Sequence, residues 1–224
     1  MRLIERELGL EIELQENRIS VLVIENVCKR LSIIRTLYEQ ILGKAGPWLL
    51  AEGERSYDLS KKGDIVLEPF SLEMNSKKVK TKLYQEIKGI ADEECYESGL
   101  ELHSNICNYL EKILEKVPYP MEYTVLWDVD NLLKMYNVRL LEECDDLFEK
   151  LLSYIKMTNQ ICDIQLFLLV NIKQFLTEQQ LSELYKMASY SKIQLVLIEF
   201  NIIGDRRAEE DVYILDKDDC IIEY

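Results

Sequence analysis

Glycine, proline and histidine are scarce in this sequence, and each shortage disfavours a class of chemistry. Only 8 glycines, 4 prolines and 1 histidine occur in 224 residues. His103 is the single histidine, so the sequence disfavours a Cys/His zinc site and a His-based catalytic triad. The 6 cysteines are scattered and include no C-x-x-C pair, a pattern typical of small buried apolar groups in an intracellular chain.

Motifs that bind or transfer phosphate are missing as well. No G-x-x-x-x-G-K-S/T segment occurs, and the nearest imitation, residues 43–46, follows a predicted helix instead of preceding one. The G-x-S-x-G, H-E-x-x-H and complete EF-hand patterns are also absent. These absences disfavour nucleotide hydrolysis and the corresponding hydrolase chemistries.

Long hydrophobic runs are lacking too. The apolar runs fall far short of the ~20 residues that cross a bilayer, and no basic segment precedes an apolar leader. We therefore expect a soluble, cytoplasmic protein with no membrane partner. Its 224 residues, 48% of them apolar, suffice for one ordered, helix-rich domain or for one domain with an insertion.

Acidic residues dominate the charge balance. The net charge is −14, from 27 basic and 41 acidic residues. Such an excess opposes non-specific binding to nucleic acid or to an anionic membrane. A nucleic-acid site must therefore be sought as a local cluster of basic residues.

Basic residues cluster in two places. The larger cluster comprises Lys77, Lys78, Lys80, Lys82 and Lys88. It has two interpretations, a solvated helix face or a ridge that contacts phosphates. The smaller cluster is the pair Arg206 and Arg207, which acidic residues follow, so an ion-pair cluster within a loop competes with DNA contact.

Carboxylates gather around a short predicted helix at residues 128–136. The candidate metal ligands among them are Glu122, Asp128, Asp130 and Glu142. Calcium requires several converging oxygen ligands. Proximity in sequence alone favours helix capping and solvation, with calcium binding as the alternative.

Residues 164–200 predict a βαβ unit at the middle of an α/β domain. Two short apolar runs, residues 165–170 and 194–198, do not alternate with polar residues, which suits strands covered on both faces. Thr177 and Gln180 form a T-x-x-Q capping box at the start of the helix between them. The loop before this helix contains no glycine, so we interpret the unit as a scaffold without a phosphate site.

Further elements are predicted on the N-terminal side. Residues 7–14 and 19–24 are predicted to pair as a hairpin, and residues 25–42 to form a helix. The predicted inner face of that helix carries Val27, Leu31, Ile34, Tyr38 and Ile41. Short strands are predicted at residues 48–51 and 65–67.

The middle of the chain predicts an inserted helical domain. Residues 76–117 favour a long helical run with a bend or break at Gly99, and a further helix is predicted at residues 143–158. Short strands follow at residues 212–215 and 220–222. The predicted fold is thus α/β with a central sheet in residues 1–70 and 158–224, and a helical insertion in residues 71–157.

Several segments together resemble one known family. They are residues 11–14, 21–27, 70–75, 137–138, 145–150, 175–178, 195–199 and 213–218, with Asn171 between them. In order and spacing the chain resembles the small CRISPR-associated ring protein of subtype II-A systems, the Csn-two family. The resemblance implies a P-loop-like head domain without a functional nucleotide site, and an inserted α-helical leg domain.

The resemblance also implies a function in antiviral defence. Members of that family form homotetrameric rings that carry lysines on the inner face, bind the ends of double-stranded DNA without sequence preference, and hold calcium. They act in spacer acquisition with the adaptation integrase and the RNA-guided effector nuclease, and they are not known as enzymes. On this basis the DNA-binding candidates are Lys77, Lys78, Lys80, Lys82, Lys88, Arg206 and Arg207.

Three hypotheses follow. The first is a non-enzymatic DNA-binding ring with calcium. The second is a metal-dependent nuclease that uses Asp128 and Asp130, because two-metal phosphoryl chemistry requires converging acids. The third is a pure protein-interaction module of the adaptation complex, in which DNA contact is incidental.

Overall fold

The computed structural model describes residues 1–124, 126–142, 146–202 and 206–223. The described chain is a mixed α/β protein. Its strands are β1 (Arg2–Glu5), β2 (Leu10–Glu13), β3 (Ile19–Ile24), β4 (Trp48–Glu52), β5 (Arg55–Tyr57), β6 (Gly63–Val66), β7 (Leu166–Val170), β8 (Gln194–Glu199), β9 (Glu210–Leu215) and β10 (Ile221–Glu223). Its α-helices are α1 (Val27–Ile41), α2 (Leu59–Lys62), α3 (Lys77–Glu94), α4 (Tyr96–Leu114), α5 (Val129–Met135), α6 (Leu147–Cys162) and α7 (Glu178–Tyr190).

The chain divides into two compact units. The first unit is Met1–Met74 with Glu142–Tyr224, and the second unit is Asn75–Leu141. The predicted insertion at residues 71–157 is longer than this second unit, because α6 belongs to the first. Helix α6 contacts α7 and the 3₁₀ turn Pro69–Ser71, and it buries one apolar face. The predicted start of α6 at residue 143 lies outside the described residues. No described helix is long and apolar enough to cross a membrane.

The first unit contains a six-stranded sheet in the order β10-β9-β3-β8-β7-β6. Every neighbouring pair is parallel except β10 with β9. The predicted βαβ unit is confirmed, since β7 and β8 pair in parallel with Leu166 opposite Gln194. The capping box of α7 is also present, with Thr177 and Gln180 satisfying each other's backbone N–H groups.

The predicted pairing of the first strands is wrong. Strand β2 pairs with β1 in a second, antiparallel sheet of order β2-β1-β4-β5, whereas β3 enters the six-stranded sheet between β9 and β8. All six residues of β3 are buried, as expected for a central parallel strand. Strand β2 alternates buried and exposed residues, so it suits a sheet with one open face.

The predicted inner face of α1 is correct at Ile34 and Ile41, which pack against the core, and wrong at its other residues. Val27 is 69% and Leu31 is 72% exposed, whereas Ile33 and Leu37 are buried. Hydrogen bonds fix this rotation, because the Trp48 indole Nε1 donates to Thr36 Oγ1 at 3.0 Å on the buried side. The predicted face of α1 differs from the buried one because sequence periodicity alone does not tell which of two overlapping apolar faces contacts the core.

The second unit consists of α3, α4 and α5. The break between α3 and α4 falls at Cys95 and not at Gly99, which is helical. A Cβ built on Gly99 would lie 3.5 Å from Trp127 Nε1, an ordinary van der Waals distance, so the packing leaves room for a side chain at this position. The small core of this unit is built by Tyr84, Val129 and Leu133, which join α3 to α5.

Candidate functional site

The carboxyl ends of the parallel strands are the usual ligand-binding edge of an open α/β sheet. Here Arg30 links the ends of β3 and β8 through its guanidinium. Its Nε donates to Ile24 O at 2.8 Å, its Nη2 donates to Phe200 O at 2.7 Å, and the group lies 5.0 Å from the Phe200 ring centroid. Asn171 adds a further link, because its Oδ1 accepts from Phe200 N at 3.1 Å. The protein's own groups therefore occupy this edge.

The protein's own groups also occupy the N-terminus of α1. Asn26 caps the helix directly after β3, and its Oδ1 accepts from Cys28 N at 2.9 Å and Lys29 N at 3.3 Å. These N–H groups are the donors that a phosphate at a helix N-terminus would use. The geometry thus agrees with the lack of glycine in the sequence.

A buried charge network lies beside α7. Lys173 Nζ is 2.7 Å from Glu210 Oε1, and the two side chains are 8% and 1% exposed. The Tyr185 hydroxyl donates to the same Glu210 oxygen at 2.6 Å. Glu199 Oε1 accepts from Lys173 N at 3.1 Å, but no described residue offers its buried Oε2 a hydrogen bond.

Burial governs the protonation of this network. Loss of solvent raises the pKa of Glu199 to about 7, against the opposing effect of the Lys173 N–H and charge. Burial also raises the pKa of Tyr185. Since the groups are closed off from solvent, the network stabilises the packing of α7 on the sheet and offers no access for a substrate.

The two predicted DNA-binding arginines make contacts within the first unit. Arg207 forms an ion pair with Glu178, donates to Ser182 Oγ at 2.8 Å, and lies 5.6 Å from the Tyr185 ring centroid. Arg206 donates to Glu210 O through Nη2 at 3.2 Å. Both arginines thus contact the protein itself, but the acidic partner of Arg207 lies on α7 and the acceptor for Arg206 is a backbone carbonyl, so these contacts are not the predicted ion pairs within the loop. DNA binding by either arginine stays a prediction.

The predicted lysine cluster occupies the first turns of α3. Lys77, Lys78 and Lys82 are exposed and Lys80 is half-buried. Lys77, Lys80 and Lys82 form no ion pair with any described residue. Cations in the first turn of a helix oppose its dipole, so these lysines do not stabilise α3 electrostatically. Lys88 differs from them, because its Nζ lies 3.8 Å from Asp128 Oδ1.

The structure separates the lysines of α3 into two sets. Lys77 and Lys80 line a groove of about 610 Å³ between α3 and α5, together with Lys134 of α5. Lys78 and Lys82 do not line this groove. At 3.6 residues per turn they lie roughly 100° and 140° around the helix from Lys77.

Lys134 is the site residue that sequence reasoning missed. It lies in the last turn of α5, far from the α3 lysines in sequence. The packing of Tyr84 against Val129 and Leu133 brings the two helices together, and the Tyr84 hydroxyl donates to Val138 O at 2.8 Å. No local pattern in the sequence links a single lysine on one short helix to a cluster on another.

The predicted metal ligands have different surroundings. Asp128 caps α5 by accepting from Asp130 N at 3.1 Å, besides pairing with Lys88. Asp130 lines the α3–α5 groove, Glu122 is exposed, and Glu142 belongs to the first unit. Across residues 1–124, 126–142, 146–202 and 206–223, no three His, Cys, Asp or Glu side chains converge as a metal site would require. The described residues therefore do not fit a complete calcium site, and calcium binding stays a prediction.

Taken together, the fold and the groove define a mixed α/β protein whose sheet edge is filled by its own side chains and whose helical second unit carries exposed lysines. The family described as CRISPR-associated protein (Cas_Csn2) matches residues 40–219. The chain belongs to this CRISPR-associated family, as the sequence resemblance predicted. No curated protein matches the chain.

Solved structures with some similarity include an ATP-binding cassette of an ABC transporter, determined from a twinned crystal. It is 13% identical, with a TM-score of 0.46, over 95% of this chain and 86% of that chain. The ADP conformation of the cassette is 11% identical, with a TM-score of 0.43, over 92% of this chain and 79% of that chain. At these values the similarity carries no inference about fold or activity.

Proposed function

We propose that this protein binds double-stranded DNA, including its ends, without sequence preference and without catalysing a reaction, in CRISPR spacer acquisition. The phosphate contacts come from the lysine cluster of α3, whose candidates are Lys77, Lys78, Lys80, Lys82 and Lys88, with Arg206 and Arg207 as further candidates. The observation that carries the proposal is the set Lys77, Lys80 and Lys82, which has no described ion-pair partner in a chain of net charge −14. Most of the affinity for a phosphate backbone comes from such lysines.

The assembly belongs to the same proposal. A chain this acidic binds DNA more readily if several copies bring their lysines to one surface, as a homotetrameric ring does. Calcium bound between carboxylates of different copies would offset their repulsion. The first unit is a P-loop-like scaffold, and the partners are DNA, the adaptation integrase complex and the RNA-guided effector nuclease of the same system.

A protein-interaction module is the second candidate, and α4 favours it. This 19-residue helix buries no residue, although it carries an apolar stripe. Leu102 is 43% exposed, Tyr109 is 65% exposed and Ile113 is 42% exposed. A nuclease has less support, because Asp128 already caps α5 and pairs with Lys88.

Gel shifts with linear and circular duplexes at low and high salt, with and without calcium, test DNA binding. We expect binding that weakens steeply with salt, and a large loss when Lys77, Lys78, Lys80 and Lys82 are all changed to Glu. Equal failure with both duplexes at low salt, calcium included, contradicts the proposal. An unchanged shift after the charge reversal favours the interaction module instead.

The ring is tested by measuring the mass in solution with calcium and with a chelator. We expect a tetramer in calcium. A monomer under both conditions would rule the ring out, while DNA binding by the monomer would still be testable in the same gel shifts.

A further inference from the structure

The groove between α3 and α5 combines cations from two elements that are distant in sequence. Lys77 and Lys80 come from the first turn of α3, and Lys134 comes from α5. None of these three lysines forms an ion pair within the described part of the chain. Three uncompensated ammonium groups therefore surround one concavity of about 610 Å³.

Asp130 lies in the same groove and is the group that needs an explanation. Its Oδ1 is buried, and no described residue donates a hydrogen bond to it. It has no ion pair among the described residues either, although it lines the groove with the three lysines. The groove is therefore lined by three positive charges and by one negative charge, which belongs to Asp130.

The remaining lining groups are neutral and polar. Thr81, Gln85 and Asn137 offer hydroxyl and amide groups. Asn75 instead holds the rim in place, because its side chain exchanges hydrogen bonds of 3.0 and 2.8 Å with the backbone of Leu140. A concavity lined by ammonium, hydroxyl and amide groups suits a phosphate with its sugar better than it suits an apolar ligand.

We propose that this groove binds a backbone phosphate of DNA through Lys77, Lys80 and Lys134, while Lys78 and Lys82 lie outside the contact. The inference rests on the proposed function and narrows it from one helix to a groove between two helices. Asp130 opposes the bound phosphate through like charge, so it limits the affinity.

Matched lysine variants test the inference. Lys134→Gln and Lys78→Gln remove the same charge from the full-length chain, and duplex binding is followed by fluorescence anisotropy across a salt series. We expect Lys134→Gln to lower the slope of log K against log salt by about 1 for each bound chain and to weaken binding at every sequence. We expect Lys78→Gln to leave the slope within error of the wild type.

A further variant, Asp130→Asn, is expected to change the affinity for the duplex in the opposite direction. Removing the carboxylate should strengthen duplex binding at least threefold at low salt, in a chelator as well as in calcium, because one repulsion of the phosphate is lost. If Asp130 instead held a calcium ion that bridges to DNA, the same change would weaken binding in calcium only, and that result overturns the groove inference. Thermal melting of each variant checks that it is folded.

A free nucleotide carries the same phosphate group and is the alternative ligand for this groove. We expect AMP to compete with the duplex only at concentrations far above that of the DNA. Stoichiometric AMP binding that is lost in Lys134→Gln would move the site from DNA to a nucleotide and contradict the inference.

The failures of the inference and of the proposed function are distinguishable. If the wild type binds no duplex at low salt, the proposed function fails. If the wild type binds and Lys78→Gln loses as much affinity as Lys134→Gln, DNA binding stands and the groove inference is wrong.

Discussion

Several basic side chains of the two units have opposite surroundings. In the first unit Arg30 donates to carbonyls at the ends of the strands, Lys173 is buried against Glu210, and Arg207 pairs with Glu178. In the second unit Lys77 and Lys80 have no described ion-pair partner and line a groove. A buried cation with a partner holds structure together, whereas an uncompensated lysine in an acidic chain is available for an anion. The basic side chains named in the first unit stabilise its fold, and under the proposed function DNA contact falls to the second unit.

The largest effect on stability is expected from Lys173→Met. The change leaves Glu210 buried without its cation, and breaking a buried pair by removing one partner lowers the free energy of unfolding by about 3–5 kcal/mol. Denaturant unfolding measures the loss. The matched control is Lys77→Met, which alters an exposed lysine of α3 and should stay within about 0.5 kcal/mol of the wild type. Equal effects of the two changes would remove the contrast between the units.

The next effect concerns Glu199 and depends on pH. Burial raises the pKa of this carboxyl from 4.5 to about 7 in the folded chain, so the folded state holds the proton more tightly than the unfolded state does. The resulting stability is fully present below pH 4.5, falls as the pH rises, and is lost above about pH 7.

Glu199→Gln tests this dependence, because the neutral amide cannot ionise. We expect the variant to exceed the wild type in unfolding free energy at pH 8 by on the order of 3 kcal/mol, and the gap to shrink towards pH 5. Urea unfolding at a series of pH values follows the gap. A gap that is constant with pH would show that Glu199 does not titrate in this range.

A smaller effect is expected at a helix cap. Thr177 accepts from Gln180 N at 3.3 Å and completes the capping box of α7, so Thr177→Ala should lower the free energy of unfolding by about 1 kcal/mol. Ser76→Ala removes the cap of α3 and serves as the comparison in the second unit, where Ser76 Oγ accepts from Val79 N at 3.4 Å. Thermal melting of both variants measures the stability that each loses. If neither variant melts earlier, the caps do not contribute as their geometry indicates.

The sequence predicts those parts of the structure that have local signals. The run around β7 and the T-x-x-Q box specify the βαβ unit because buried parallel strands and helix caps depend on neighbouring residues. The partner of β3 and the inner face of α1 depend instead on contacts far along the chain. The predicted partner of β3 was wrong, and the predicted face of α1 was wrong at Val27, Leu31 and Tyr38. Local pattern does not encode which sheet a strand joins.

The candidate site likewise combines residues that local sequence predicts with residues that only the packing reveals. The lysine cluster of α3 is visible as a run of charge, so Lys77 and Lys80 were predicted. Lys134 enters only through the packing of α5 on α3, and the separation of Lys78 from the groove follows from the rotation of the helix. The engagement of Arg30 with strand ends is likewise a tertiary feature that composition does not reveal.

The most direct test of this account is the salt dependence of duplex binding by the double variant Lys77→Gln with Lys80→Gln. Its matched control is Lys156→Gln with Lys186→Gln, which removes the same two charges from exposed lysines of the first unit. The account predicts that the double variant binds at least tenfold more weakly at moderate salt, with a slope of log K against log salt reduced by about 2 for each bound chain, and that the control binds as the wild type does. Unchanged affinity and slope in the double variant would contradict the assignment of DNA contact to the second unit.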